Sequence, residues 1–422
     1  MRVAHLLRKY NPVEWGGTET AMERLALGFA GLGVESVAFA PRLPRASAAG
    51  DPLTAAGCLV RRFRAFVPVW GISAERKRQL VSVGGNLMSF DLIGLLWRQP
   101  GLDVVHSHAL GRIGAIGHAV ARGRSLPFVL SIHGGAYDLP DSARQALRQP
   151  GAGGWDWGKP VGLMLRSRHL LSRADAILTC NPREAALLRE RHPDRRVLLQ
   201  PHGVPAALYA SDHRPAALAA FPAVRGRPVL LVLGRIDPVK NQAWLVAQAA
   251  ELTRRHPRIL LVFVGACTDP GYGEALQAQV AREGLGDCVL LAGTLPPGDP
   301  RLIGLLHEAR AVALPSVSET FGIVLLEAWA AGTPVISSRT SGAAALVEDG
   351  VDGLLFDLAR PAAFHSAVDR LLAQPQEGRQ WGAAGRAKVV ARYDLGVLAA
   401  QMKRIYEGLI EGNHPHRPLA RR

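Results

Sequence analysis

The chain has 422 residues, of which 48% are hydrophobic and 20% are charged, a composition that provides apolar cores and excludes a disordered protein. Basic residues exceed acidic ones by 15, and most of this excess lies in residues 1–210, which hold 27 basic and 15 acidic residues. No apolar run is long enough to span a bilayer, and the N-terminus lacks the cleavage site of a signal peptide. Four scattered cysteines predict reduced core thiols, so we expect a cytoplasmic protein, with no span across the membrane.

Short apolar runs alternate with helical stretches along the chain, which predicts parallel sheets covered by helices on both faces. In the first half the predicted strands are Val3–Leu7, Ser36–Ala40, Cys58–Arg62, Asp103–His106, Phe128–His133, Ala176–Thr179 and Val197–Gln200. In the second half they are Val229–Leu233, Leu260–Val264, Val289–Ala292, Ala311–Leu314, Val335–Ser337 and Leu354–Phe356. The predicted helices include Glu19–Gly31, Asn241–Arg255 and Tyr272–Glu283. This order predicts an α/β fold with two doubly wound, Rossmann-like sheets.

The pattern restarts after residues 206–228, which are rich in proline and alanine and are interpreted as a linker. We therefore expect one domain over residues 1–205 and a second over residues 229–394. A final helix, at about residues 395–412, is expected to pack back on the first domain. Two such sheets facing each other would leave an interdomain cleft at the carboxyl ends of their strands, where α/β proteins bind ligands.

Two features of the first half follow predicted strands. Gly16 and Gly17 come after the first strand, where paired glycines would let the backbone approach an anion, although a plain turn also explains them. His106, His108 and His133 end two further strands, and we expect their imidazoles to point at the cleft. Because the chain contains no Asp-x-Asp motif and no cysteine cluster, no metal ligand is assigned.

The densest basic cluster of the first half is the Arg61–Arg78 region, in which aromatic residues such as Phe66 and Trp70 are interleaved. Basic residues mixed with aromatic ones suit an anionic membrane surface, and a solvated loop is the alternative interpretation. No signature of a nucleic-acid-binding module accompanies the charge, so nucleic acid is not expected as a partner.

In the second half, Gly234-Arg-Ile-Asp-Pro-Val-Lys-Asn241 directly follows a buried strand. Arg235 and Lys240 would then lie at the carboxyl end of the strand and the start of a helix. Two cations there suit a diphosphate, because arginine chelates its oxygens and lysine adds a mobile charge. The alternative is a charged turn in which Asp237 pairs with Arg235.

A pair of carboxylates belongs to the segment from Pro315 to Ile336. Glu319 lies in a loop after a strand, and Glu327 lies in a helix that is predicted to begin near Phe321–Gly322. Free N–H groups at that helix start would bind phosphate or sugar oxygens, and a carboxylate matches a vicinal diol. An ordinary strand–loop–helix with a solvated Glu319 and a packed Glu327 is the alternative.

Together these motifs resemble the GT4-type family of retaining glycosyltransferases, which have the GT-B fold, over nearly the whole chain. The resemblance makes residues 1–205 the acceptor domain and residues 229–394 the nucleotide-sugar donor domain. It implies that Gly16 and Gly17 approach the donor phosphate. The residues with implied catalytic roles are Arg235 and Lys240 on the diphosphate, Glu319 on the donor-sugar hydroxyls and His133 near the donor sugar.

The resemblance also implies further donor contacts: backbone groups of Phe321, Gly322, Ile323 and Val324, the ribose on Glu327, and the base near Gly265 and Gly293. The sequence departs from the family pattern at Ser341-Gly-Ala-Ala-Ala345, because members of the family often have a carboxylate residue in this segment and this chain has none there.

The implied activity is transfer of a sugar, with retention, from a nucleotide-diphospho-sugar to a hydroxyl acceptor, without a metal or other cofactor. A lipid-linked glycan of polysaccharide biosynthesis at the inner face of the membrane is the acceptor that the basic, aromatic segment favours. The alternatives are a nucleotide-sugar epimerase of related fold and a catalytically silent nucleotide-sugar-binding protein.

Overall fold

A computed structural model of the protein describes residues 1–11, 17–42, 51–82, 85–134, 136–138 and 153–413. The chain divides into two compact units, of which the first comprises Met1–His202 together with the chain from Leu395, and the second comprises Gly203–Asp394. Within these described ranges, none of the helices combines the length and the apolar character needed to cross a lipid bilayer.

The first unit is built on a parallel sheet whose strands β1, β5, β6 and β8 are almost entirely buried. Its strands are β1 (Arg2–Leu6), β2 (Glu35–Pro41), β3 (Leu59–Phe63), β4 (Val69–Trp70), β5 (Val104–Ser107), β6 (Phe128–Ile132), β7 (Trp155–Asp156), β8 (Ala176–Thr179) and β9 (Arg196–Leu199). Seven of them form the sheet in the order β3-β2-β1-β5-β6-β8-β9, and the short β4 and β7 pair antiparallel outside it.

Helices cover this sheet and connect its parallel strands, as crossover connections require. They are α1 (Gly17–Phe29), α2 (Pro52–Ala55), α3 (Ala74–Ser82), α4 (Asp91–Arg98), α5 (Gly111–Gly123), α6 (Lys159–Met164) and α7 (Pro182–Arg191). Short 3-10 turns at Ser167–His169 and Leu171–Arg173 precede β8.

The second unit contains a six-stranded parallel sheet in the order β12-β11-β10-β13-β14-β15. Its strands are β10 (Val229–Leu233), β11 (Leu260–Val264), β12 (Val289–Gly293), β13 (Ala309–Leu314), β14 (Val335–Ser338) and β15 (Gly353–Phe356). Its helices are α8 (Arg214–Ala220), α9 (Gln242–Arg255), α10 (Pro270–Arg282), α11 (Pro300–Glu308), α12 (Ile323–Ala330), α13 (Ser341–Leu346), α14 (Pro361–Ala373) and α15 (Pro375–Arg392).

The last described helix, α16 (Leu395–Asn413), returns to the first unit and packs on α1. The two helices approach so closely at Gly28 that a Cβ atom there would lie 2.7 Å from Cβ of Ala399. Phe29 of α1 and Tyr406 of α16 are both buried in the apolar layer on this face of the sheet.

Each sheet has one place where the strand order reverses, between β1 and β5 in the first unit and between β10 and β13 in the second. The loops that leave two adjacent strands at such a point run to opposite sides of the sheet, which opens a crevice at their carboxyl ends. The reversals therefore show where each unit can bind a ligand.

The predicted α/β class and the predicted strands are confirmed, with strand ends shifted by at most two residues. The interpretation of residues 206–228 as a linker is wrong, because this segment folds into two 3-10 turns, Ala206–Tyr209 and Pro222–Val224, and helix α8, which packs on α11. Ala217 of α8 is buried where this helix lies against Gly304 of α11. Cys267 is exposed, in contrast to the buried Cys58, Cys180 and Cys288.

Candidate functional site

The reversal point of the second sheet brings together one cation and one anion from separate loops. Lys240, at the end of the β10–α9 loop, forms an ion pair between its Nζ and Oε2 of Glu319, in the β13–α12 loop. Only 17% of the lysine side chain and 19% of the glutamate side chain are exposed. This partly buried pair gives the loops a fixed charge arrangement at the carboxyl ends of β10 and β13.

Backbone and amide hydrogen bonds hold the two loops against each other. Nδ2 of Asn241 donates to the Pro315 carbonyl at 3.1 Å, and the N–H of Val317 donates to the Val239 carbonyl at 2.9 Å. Asn241 itself takes the left-handed conformation, with φ of 58°, which asparagine tolerates better than most residues. These contacts between the two loops fix the backbone on both sides of Lys240 and so position its side chain beside Glu319.

Arg235 has a different environment from Lys240. Its guanidinium pairs with Asp237 at 3.0 Å, as the charged-turn alternative predicted, and 51% of its side chain is exposed. Asp237 also accepts a hydrogen bond from the Lys240 backbone at 3.0 Å. Asp237 thus contacts both predicted cations, through the guanidinium of Arg235 and the backbone N–H of Lys240. Of the two, only Lys240 forms an ion pair with Glu319.

Helix α12 begins directly after the Glu319 loop. Gly322 precedes it with φ of +95°, a conformation that favours glycine, and Phe321 is buried beside it. Ile323 and Val324 form the partly buried first turn, so their N–H groups lie at the helix start, and Glu327 is buried one turn further on.

A glycine that the sequence analysis did not assign supports this loop from the neighbouring helix. The N–H of Gly342 donates to the Glu319 carbonyl at 2.8 Å, and a Cβ at this position would lie 2.6 Å from the Phe321 nitrogen. Only its place in Ser341-Gly-Ala-Ala-Ala345, which the sequence analysis noted as a departure from the family, could have indicated it.

Three glycines meet where β10, β11 and β12 end. The N–H of Gly265 donates to the Gly293 carbonyl at 2.9 Å, and a Cβ on Gly265 would lie 1.9 Å from the Gly234 carbonyl oxygen. All three have positive φ, at 141°, 154° and 76° for Gly234, Gly265 and Gly293. The strand ends can approach this closely only because the side chains are absent.

The reversal point of the first sheet contains a row of histidines. Nδ1 of His5 lies 3.1 Å from Nε2 of His108, and Nδ1 of His108 lies 2.8 Å from Nε2 of His133. Nδ1 of His133 is shielded from solvent and has no hydrogen-bond partner among the described residues. The row thus ends on a buried ring nitrogen whose hydrogen-bonding capacity the described residues leave unused.

The row is electrically neutral at physiological pH. Burial lowers the pKa of His5 to about 3, and burial together with the charge of Arg8 lowers the pKa of His133 to about 4. Burial, and then the neighbouring imidazoles, lowers the pKa of His108 well below its usual value. Each ring therefore offers one N–H donor and one lone pair.

His106 does not point into a ligand site as predicted. Its Nδ1 contacts the Tyr406 hydroxyl at 2.6 Å and its Nε2 contacts the Ser131 hydroxyl at 2.7 Å, so both ring nitrogens are used inside the unit. Ring nitrogens of His5, His106 and His108 lie within 4.8 Å of one another, a spacing that would allow metal ligation. A metal would have to displace the hydrogen bonds just described.

Of the two glycines predicted to approach the donor phosphate, Gly16 lies outside the described residues. Gly17 is the first residue of α1, and a Cβ atom there would have no heavy atom within 4 Å.

In the Arg61–Arg78 region, Arg62 forms an ion pair with Asp51 at 3.3 Å and lies over the Tyr10 ring, while Trp70 is 62% exposed. Part of that basic cluster therefore stabilises the fold.

Two family models match the chain, "Glycosyl transferase 4-like domain" over residues 16–203 and "Glycosyl transferases group 1" over residues 215–388. The D-inositol 3-phosphate glycosyltransferase of Frankia alni is 33% identical over 68% of this chain and 71% of its own length. That of Acidothermus cellulolyticus is 33% identical over 65% of this chain, which spans 61% of that relative.

Solved structures have a similar fold over nearly all of the chain. Anabaena Alr3699/HepE in complex with UDP has a TM-score of 0.71 at 18% identity and covers 97% of this chain and 100% of its own. Sucrose-phosphate synthase from Thermosynechococcus elongatus has a TM-score of 0.72 at 23% identity, covering 97% and 99%. The chain therefore belongs to the GT4-type glycosyltransferase family and has the GT-B fold.

Proposed function

We propose that the chain transfers a sugar from a nucleotide-diphospho-sugar to a hydroxyl acceptor, with retention of anomeric configuration. The observation that carries the proposal is the Lys240–Glu319 ion pair beside the start of α12. Relatives named D-inositol 3-phosphate glycosyltransferases and a neighbour solved with UDP-glucose support the class of donor and reaction.

Departure of the sugar leaves negative charge on the diphosphate. The ammonium of Lys240 and the N–H groups at the start of α12 would stabilise that charge, with Arg235 released from Asp237 as a second cation. Stabilisation from these groups is the reason why we propose that the reaction needs no divalent metal.

Glu319 is proposed to bind donor hydroxyls and not to attack the sugar. Its carboxylate is paired with Lys240, which lowers its nucleophilicity and orients its second oxygen for hydrogen bonds. Retention would then result from attack on the face that the leaving phosphate occupies, with that phosphate accepting the proton of the acceptor hydroxyl.

The test incubates the protein with UDP-, GDP- and ADP-sugars and with inositol 3-phosphate, the compound in the relatives' name, as the acceptor, in buffer with and without EDTA. Proton NMR of the anomeric centre then identifies the product. We expect turnover of one donor in EDTA and a product with the configuration of the donor. Inversion would refute the proposed stereochemistry, and complete loss of activity in EDTA that added Mg²⁺ restores would refute the absence of a metal.

A lipid-linked glycan acceptor requires contact with a membrane, and we propose that the exposed side chains of Arg61, Arg64 and Trp70 make it. Cations there would meet anionic headgroups and the indole would lie at their level. Flotation with phosphatidylglycerol vesicles at low salt tests this. Equal recovery with phosphatidylcholine vesicles, or no flotation at all, would exclude this membrane contact.

A further inference from the structure

A fully buried carboxylate contacts the segment that follows His133. Glu184 lies in the first turn of α7 and is 0% exposed. Its Oε1 accepts hydrogen bonds from the N–H groups of Ala136 at 2.8 Å and Tyr137 at 3.1 Å, and its Oε2 accepts one from the Asp138 N–H at 2.7 Å. One carboxylate thus binds three consecutive backbone N–H groups.

The Glu184 carboxylate and the backbone of residues 136–138 stabilise each other. A buried carboxylate is costly unless hydrogen-bond donors replace the water that it has lost. Buried backbone N–H groups likewise need an acceptor, and a hydrogen bond to a carboxylate is roughly twice as strong as one between neutral groups. Glu184 therefore holds these three residues firmly against the start of α7.

The topology of the first sheet explains why Glu184 lies there. Strand β8 pairs with β6, so the connection from β8 to α7 lies beside the residues that follow β6. Asn181 caps α7, because its side chain accepts hydrogen bonds from the N–H groups of Arg183 at 2.8 Å and Glu184 at 3.3 Å. The cap fixes where the helix begins and therefore where Glu184 lies.

Two further contacts join the same segment to α7. The Tyr137 hydroxyl lies 3.0 Å from Nε2 of His192, and Oδ1 of Asp138 lies 3.2 Å from Nε of Arg183. The Arg183 side chain is 73% exposed, and an ion pair in contact with water contributes little. The buried Glu184 is therefore the main attachment of the segment.

The connection from β8 to α7 also contacts His133 itself. The Cys180 thiol donates a hydrogen bond to the His133 carbonyl, with 3.9 Å between sulfur and oxygen. The His133 ring stacks between the rings of His108 and His202, at centroid distances of 5.1 Å and 5.3 Å. A shift of the backbone that follows His133 would therefore change how its imidazole lies between these two rings.

We propose that Glu184 is a positioning residue for His133. The proposal rests on the proposed function and on the role near the donor sugar that the family resemblance implies for His133. Glu184 is fully buried, so it acts on the reaction only through the backbone that it binds. Small displacements matter there, because misplacing a reacting or catalytic group by about 1 Å can slow a reaction by about 100-fold.

The test compares the full-length wild type with Glu184→Gln, in which an amide of the same shape replaces the carboxylate. The amide keeps one acceptor oxygen, but its NH₂ group would face a backbone N–H donor. The control is Asp175→Asn, because Oδ2 of Asp175 accepts a hydrogen bond from the Phe128 N–H at 2.7 Å, at the opposite end of β6. Both variants replace a carboxylate that binds backbone beside β6, and only the first is expected to affect His133.

Side-chain NMR of the protein labelled with ¹⁵N-histidine observes the His133 ring directly, and His133→Asn assigns its signals. We expect Glu184→Gln to shift these signals and Asp175→Asn to leave them in place. With inositol 3-phosphate as the acceptor, Glu184→Gln should lower kcat roughly 10- to 100-fold and keep KM for the nucleotide-sugar within about threefold of the wild type.

A double-mutant cycle separates positioning from a loss of stability. In the His133→Asn background, Glu184→Gln should lower kcat by less than about twofold further, whereas it should lower Tm in both backgrounds. Unchanged His133 signals in Glu184→Gln, or an equal loss of kcat in both backgrounds, would overturn the proposal.

A second variant covers the case in which Glu184→Gln does not fold. Glu184→Asp keeps the charge and shortens the side chain by one methylene, and the same criteria apply to it. A wild type that turns over no nucleotide-sugar would disprove the proposed function, and the NMR comparison would still decide whether Glu184 positions the His133 ring.

Discussion

His108 lies between two imidazoles, with its Nδ1 2.8 Å from His133 and its Nε2 3.1 Å from His5. Because each neutral ring carries one proton, the row has two arrangements: all N–H groups point toward His133, or all point away from it. In the first arrangement Nδ1 of His133 carries the proton and can only donate a hydrogen bond, and in the second it carries the lone pair and can only accept one. The tautomers of His5 and His108 therefore determine whether Nδ1 of His133 is a hydrogen-bond donor or a hydrogen-bond acceptor.

The buried histidines make the stability of the first unit depend on pH. The pKa of His5 is lowered to about 3 and that of His133 to about 4, whereas both titrate near 6.5 in the unfolded chain. Between about pH 6.5 and pH 4 the unfolded state binds more protons, so the free energy of unfolding falls as the pH falls. Each histidine contributes at most about 1.4 kcal/mol per pH unit to this slope, a value approached where the unfolded imidazole is largely protonated and the folded one is not.

Urea unfolding, followed by circular dichroism at pH 7, 6 and 5, measures the slope. We expect His5→Asn to reduce it by up to about 1.4 kcal/mol per pH unit between pH 6 and pH 5, and by less between pH 7 and pH 6. Equal slopes for the wild type and His5→Asn would contradict the prediction.

Replacing Lys240 removes the cation that Glu319 orients. We expect Lys240→Met to lower kcat/KM for the nucleotide-sugar by roughly 100-fold or more, because charge that develops on the leaving diphosphate loses its partner. The control is Lys403→Met, whose exposed ion pair with Glu407 lies on α16. Steady-state kinetics measures the effect, and a loss smaller than about fivefold would exclude Lys240 from the reaction.

We expect replacement of Glu319 to distinguish binding of the donor sugar from binding of the nucleotide. Glu319→Gln removes the anion that competes with a diphosphate for Lys240, so UDP should bind as tightly as in the wild type or more tightly, while turnover falls. Isothermal titration with UDP and with the intact donor distinguishes the two effects. Equal weakening for both ligands would show that Glu319 acts only by holding the loop.

The three-glycine junction should not tolerate a methyl group. A Cβ at Gly265 would lie 1.9 Å from the Gly234 carbonyl oxygen, and the φ of +154° disfavours any side chain. We expect Gly265→Ala to destabilise the second unit by about 1–3 kcal/mol and to weaken nucleotide binding. Gly271→Ala, in the first turn of α10 and with only an ordinary contact, is the control for thermal unfolding.

The Tyr406 hydroxyl attaches α16 to the histidines of the first sheet. Tyr406→Phe leaves Nδ1 of the buried His106 without its partner at 2.6 Å, which should cost about 1–3 kcal/mol. Hydrogen exchange of the α16 amides measures the loss, and Tyr393→Phe serves as the control at a less buried position. Unchanged exchange in Tyr406→Phe would show that apolar packing alone holds the helix.

The strands could be predicted because strands covered on both faces are continuous apolar runs, such as Leu230 to Leu233. The contact between Lys240 and Glu319 could not be derived from spacing, since it depends on β10 and β13 being neighbours in the sheet. The ion pair of Arg235, in contrast, could be derived from spacing, because its partner Asp237 lies only two residues further along the chain.

His108 and His133 of the histidine row were predicted at the ends of their strands, whereas His5 escaped sequence reasoning for a topological reason. His5 lies inside the first strand and has no motif around it, yet the pairing of β1 with β5 places it opposite His106.

The return of α16 to the first unit has a consequence for how the protein is made on the ribosome. Residues 203–394 emerge as an uninterrupted stretch and can complete their sheet while synthesis continues, whereas the earlier sheet waits for its covering helix until residues 395–413 have also been translated. A nascent chain halted near residue 390 should thus expose the apolar surface around Phe29 to chaperones.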